Sequence, residues 1–122
     1  MKYVLLIYAA EKDWTTLSQE EQGRIYNAYW AYTQELKSSG KMLACEPLQP
    51  TLTATTVRVR NGKMLSTDGP FAETKEQLGG LYVVDVKDLN EAMEWAARIP
   101  DAFTGSIEIR PVMDVSTIDN IK

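Results

Sequence analysis

Apolar residues fill both parities of the stretch 2-KYVLLIYA-9, with Tyr3, Leu5 and Ile7 on one side and Val4, Leu6 and Tyr8 on the other. That pattern predicts a central strand covered on both faces. Over 18–39 the period changes: Ile25, Tyr29, Tyr32 and Leu36 recur at steps of four, three and four, as on one face of a helix. Ser18 and Glu21 form a capping box at its start, and Gly40 supplies a stop. Tyr26 and Trp30 widen the aromatic face, for which core packing is expected ahead of a base-stacking or cofactor surface. A strand follows at 41–46, ended near Pro47 and Pro50. In 55-TTVRVR-60, Val57 and Val59 are expected inward, and Thr56, Arg58 and Arg60 outward. Asn61-Gly62 is a type I′ hairpin signal, and 63-KMLST-67 is the returning strand. The run 81-LYVVDV-86 is again apolar on both faces. A second helix starts at Asp88, with Glu91 completing its cap. Its buried stripe is expected at Leu89, Ala92, Met93, Ala96 and Ile99, and Pro100 ends it. The last strand, 106-SIEIRPV-112, sets Ile107 and Ile109 against Glu108, Arg110 and Val112. The polar tail beyond Asp114 is expected to pack loosely or to cross to a neighbour.

The order is β-α-β-hairpin-β-α-β within one domain, 1–122. It predicts an α+β, ferredoxin-like sandwich, an antiparallel sheet with two helices on one face. The other sheet face would be bare, yet two strands carry apolar residues there. A bare apolar face of that extent predicts a homodimer with two sheets packed face to face.

Composition narrows the chemistry. Net charge is -4, and the basic residues are scattered, so no direct nucleic-acid contact is expected. No segment has the length of apolar residues a membrane span needs. The short apolar run at the N-terminus reads as a strand rather than a signal peptide. A single cysteine, Cys45, cannot pair internally, which points to a cytoplasmic setting and a small core residue. The chain has no histidine. Catalysis that needs an imidazole is excluded, and so are histidine-rich metal sites. Acid–base work would fall to carboxylates, Tyr, Lys or the thiol. No Cys/His cluster or phosphate-binding glycine loop is present, so neither metal nor organic cofactor is expected.

The densest cluster of turn-forming and charged residues is 66-STDGPFAETKEQLGG-80. Asp68 suits an Asx-turn, Gly69 allows positive φ, Pro70 fixes the next φ, and Phe71 is expected to pin the loop by burying its ring. Glu73, Lys75 and Glu76 can pair with one another or line a cleft. Gly79-Gly80 permits close backbone approach, at a strand bulge or a ligand.

The run DGPFAETKEQLGG closely resembles the signature of the DGPF-domain branch of the YCII-related protein family. The similarity extends to KYVLLIYA, VRVRNGKMLSTDGPF, VVDVKDLNEAMEWAARIP and GSIEIRPV, so it covers nearly the whole chain. It implies the dimeric α+β barrel variant of the ferredoxin-like fold. Some members of the broader family present a His–Asp pair in a pocket, and the histidine of that pair has no counterpart here. Members of the branch are often encoded beside extracytoplasmic-function sigma factors, which implies a sigma-factor partner for a regulatory module without turnover. The other expectation is a small-molecule site between the sheet face and the DGPF loop, near the dimer interface. Asp68 would be its general base or polar anchor and Glu73 and Glu76 secondary carboxylates. Lys75 or Arg110 would bind an anionic group, Glu108 would share a strand face with Arg110, and Tyr8 would supply a phenol. A salt bridge at the dimer interface is the equally weighted reading of Glu108 and Arg110.

Overall fold

The computed structural model describes residues 1–117. Six strands and two helices follow in the expected order: β1 Lys2–Ala9, α1 Gln19–Ser38, β2 Met42–Pro47, β3 Thr55–Arg60, β4 Lys63–Asp68, β5 Gln77–Asp85, α2 Leu89–Ala97 and β6 Ser106–Pro111. Four strands form one sheet in the order β2-β5-β1-β6, every neighbour antiparallel. This is the ferredoxin-like α+β arrangement.

The two-faced pattern of β1 decides the layers. Tyr3, Leu5 and Ile7 are buried, with Tyr82 and Val84 of β5 beside them in register. Both helices cover this face: Tyr32 and Leu36 from α1 and Ala92, Trp95 and Ala96 from α2 join the same cluster. Tyr32 sits at its centre, edge-on to Tyr82 (ring centroids 5.2 Å apart) and Trp95 (6.1 Å). Its hydroxyl donates to the Trp95 carbonyl at 2.9 Å, so the buried phenol has a partner. Both caps are made: the Glu21 N–H donates to Ser18 Oγ at 3.1 Å, and the Glu91 N–H to Asp88 Oδ1 at 2.9 Å. Gly40 follows α1 with φ +77°, the left-handed conformation expected of a helix stop.

On the opposite face Val4 and Leu6 of β1 lie beside Val83 and Leu81 of β5, and all four are half-buried. Glu108 and Arg110 flank them in register with Leu6 and Val4. The face is therefore an apolar centre with a charged margin, and neither helix covers it.

Four expectations are corrected. Val57 and Val59 do not face inward; they are 57% and 61% exposed, because β3 and β4 pair only with each other as a separate two-stranded sheet. Asn61 and Gly62 nevertheless both have positive φ, as the type I′ turn requires. Of the stripe expected on α2, Ala92, Ala96 and the following Ile99 are buried, but Leu89 and Met93 are half-exposed, and Trp95 joins the buried side in their place. Tyr26 and Trp30 are exposed rather than packed in the core. Phe71 is 80% exposed and does not pin its loop. Past Asp114, residues Val115–Thr117 form a 3-10 turn. The expectation for the tail beyond it lies outside the described residues.

Candidate functional site

The double glycine that closes the DGPF segment lies inside β5. The register between β1 and β5 shifts there: Ile7 faces Gly80, but Tyr8 faces Leu78, leaving Gly79 as the extra residue of a bulge. The Gly79 carbonyl accepts from the Leu48 N–H at 2.9 Å, which ties down the chain leaving β2. Gly80 is buried, and a Cβ there would meet the Glu46 carbonyl oxygen at 3.2 Å. Gly80 thus lets β2 and the segment after it close over the end of the sheet, whereas a Cβ at Gly79 would meet nothing within 4 Å.

Beside this bulge the helical layer leaves a cavity of about 560 Å³, of the size that holds small organic ligands. Its floor is Ile7, Cys45 and Tyr82, and the Gln77–Gly80 segment and Leu48 form one wall. Ile25 and Tyr29 of α1 form another, while Trp14 and Tyr26 stand at the rim, 45% and 66% exposed. The loop between β1 and α1 is held to the segment after β2 where the Thr51 N–H donates to Glu11 Oε1 at 2.8 Å.

The cavity's polar element joins residues far apart in sequence. Asp101 lies in the 3-10 turn Pro100–Phe103 and lines the cavity with Tyr29. The Tyr29 hydroxyl donates to Asp101 Oδ2 at 2.5 Å, and Lys12 Nζ stands 4.0 Å from Oδ1. Burial first, and then the neighbouring carboxylate, pushes the Tyr29 phenol well above its ordinary range. It remains a neutral donor at any physiological pH. Burial likewise raises Tyr82, to about 12, against the lowering effect of its hydrogen bond with Thr33 (2.6 Å). The cavity therefore offers one carboxylate held in place by a phenol, against apolar and aromatic walls.

None of the seven residues singled out in the sequence lines this cavity. Asp68 ends β4, opposite Thr55, exposed and without a side-chain hydrogen bond or ion pair among the described residues. Glu73 and Lys75 are exposed on the following loop. Glu76 is half-buried and accepts from Ser106 Oγ at 2.9 Å, fastening the loop's end to β6. Tyr8 is half-buried, in register with Ser106. Glu108 and Arg110 form an exposed ion pair at 3.8 Å. Only the segment immediately after Glu76 reaches the cavity wall. Among the described residues, no group of three acidic or thiol side chains could hold a metal ion, and no helix is long and apolar enough to cross a membrane.

The YCII-related domain matches residues 1–116. A protein of Rhizobium meliloti (strain 1021), described as uncharacterized, is 39% identical over 114 residues, covering 92% of each chain.

Proposed function

The chain belongs to the YCII-related domain family, and from that premise we propose that it binds a small organic molecule in the cavity beside the Gly79 bulge. The observation that supports this most is the cavity itself: about 560 Å³, apolar-walled, with a single phenol-held carboxylate inside it. The run Asp68–Phe71 favours the DGPF branch of the family. In this chain Gly79 and Gly80 line the cavity wall, while Asp68 stays outside it as a candidate for contact with a partner or with a substrate from a second chain.

The working unit in this proposal is a homodimer. Val4, Leu6, Leu81 and Val83 form the centre of its interface, with Glu108 and Arg110 at the edge. A titration with 2-phenylethanol followed by ¹H–¹⁵N NMR tests the ligand reading. Saturable shifts are expected at Ile25, Tyr29, Leu48 and Gly80. Shifts confined to the open sheet face or to the Asp68 loop would count against it.

A second reading rests on Phe71, whose ring stands 80% exposed between Asp68 and Glu73. An exposed aromatic flanked by carboxylates suits a protein-binding loop, and the sigma-factor association belongs to this reading. Loss of a sigma-factor pull-down on Phe71→Ala, with cavity binding retained, would separate the two.

A further inference from the structure

We infer that the molecule held in the cavity is an amine, an apolar or aromatic body carrying one cationic nitrogen that seats against Asp101. The inference rests on the reading of the cavity as a ligand site and goes further by assigning the ligand's charge.

Three observations carry it. The first is the charge of the lining: with Glu46 set aside, because its register with Leu81 turns its side chain to the open sheet face, two carboxylates, Glu11 and Asp101, stand against one ammonium, Lys12. Glu11 accepts from the Thr51 N–H and so holds two loops together. Asp101 is the carboxylate that the Tyr29 hydroxyl fixes at the cavity. Its side chain is 24% exposed, while Lys12 is 46% exposed and 4.0 Å away, a solvent-screened pair at the limit of an ion-pair contact. An anionic ligand would meet this net negative lining unfavourably; a cation is drawn to it.

The second observation is how Asp101 is held. The Tyr29 hydroxyl occupies one lone pair of Oδ2, and the backbone carbonyl of Asp101 accepts from the Gly105 N–H at 2.7 Å. Oxygen acceptor positions remain on the carboxylate for a donor from the cavity, and an ammonium carries three such donors. Tyr29 is therefore a positioning residue and Asp101 the contact.

The third is the rim. Trp14 and Tyr26 are large aromatic side chains left exposed at the cavity mouth, and neither contributes to the buried core. Aromatic faces attract cations, so a ligand ammonium gains from them as it enters. An apolar acid of the same shape would gain nothing there.

The test compares three probes of nearly equal shape, 2-phenylethylamine, 2-phenylethanol and phenylacetate, by calorimetry and ¹H–¹⁵N NMR at neutral pH. On the wild-type protein the amine is expected to bind about tenfold more tightly than the alcohol, and the acid most weakly. Asp101→Asn is expected to bring the amine down to the level of the alcohol and to leave the alcohol unchanged. Tyr29→Phe is expected to weaken the amine about threefold through a less fixed carboxylate. If phenylacetate binds as tightly as the amine, or if a folded Asp101→Asn variant keeps the amine's advantage, the assignment of charge is overturned while the cavity remains a ligand site. If no probe shifts the cavity resonances, the ligand reading fails and this assignment with it. The ranking on the wild-type chain decides the matter even should the Asp101 variant not fold.

Discussion

Gly105→Ala is expected to lower the unfolding free energy by about 3 kcal/mol and the melting temperature by roughly 10 °C. A Cβ at this position would enter the carbonyl oxygen of Tyr8, and would lie 3.1 Å from the Asp101 carbonyl and 3.2 Å from the Ala9 Cα. All three obstacles are backbone atoms, which cannot step aside as a flexible side chain does. The residue joins the Asp101 turn to β6, and β6 pairs with β1 from Ser106 onward, opposite Tyr8. Relief of the clash therefore requires β6 to peel from β1 or the Asp101 turn to shift, so the amine contact is expected to weaken as well. Gly23→Ala is the matched control. Nothing lies within 4 Å of its Cβ position inside α1, so the substitution is expected to stabilise by about 0.5–1 kcal/mol through helix propensity. Paired thermal and urea melts check both. Equal effects of the two substitutions would show that the packing of β6 against the end of β1 is not as described.

Leu6→Asp is expected to convert the proposed dimer into a folded monomer, raising its dissociation constant by about a thousandfold or more. Leu6 lies on the open sheet face opposite Leu81, with Glu108 on its other side. A twofold axis through that face would place two new carboxylates together in an apolar setting beside two existing glutamates. The fold itself should survive, because Leu6 is only half-buried within the single chain. Its neighbour gives the contrast: Leu5 is fully buried beneath the helices, and Leu5→Asp should prevent folding altogether. Sedimentation velocity at micromolar concentration, with circular dichroism for the fold, distinguishes these outcomes. A wild-type chain that sediments as a monomer would remove the dimer from the account.

Much of the fold was legible because strands and helices announce their faces through period. The two-sided apolar run of β1, the caps at Ser18 and Asp88 and the Asn61-Gly62 turn each depend on a few adjacent residues. The misplaced residues share a different property. Whether Val57, Val59 or Phe71 is buried depends on what lies against the hairpin and its loop, and among the described residues β3 and β4 pair with no other strand and all three side chains stand exposed. In α2 the spacing identifies Ala92, Ala96 and Ile99 correctly, but it also admits Leu89 and Met93, which are exposed, and the buried edge runs through Trp95 instead.

The candidate site was harder to read. Tyr29 and Asp101 are 72 residues apart, and no motif spacing links a helix tyrosine to an aspartate in a later turn. Tyr29 lies on the helix stripe and packs against the core as that spacing predicts, but the spacing says nothing of the partner its hydroxyl finds in Asp101. One signal does point to it: a double glycine in a strand marks a bulge or a close backbone approach, and Gly79-Gly80 supplies the bulge, the close approach at Gly80 and a wall of the cavity together. Charge drew attention to Asp68, Glu73 and Lys75, whereas solvent surrounds all three. A pattern of side chains reports faces, and a hollow between layers becomes visible only once the layers are assembled.

The most direct measurement is a crystal structure of the protein soaked with 2-phenylethylamine. The account predicts an ordered molecule beside the Gly79 bulge, its ring between Ile25 and Leu48 and its nitrogen within hydrogen-bond distance of the Asp101 carboxylate. An ordered molecule beside Asp68 or on the open sheet face, with the cavity filled only by solvent, would contradict it.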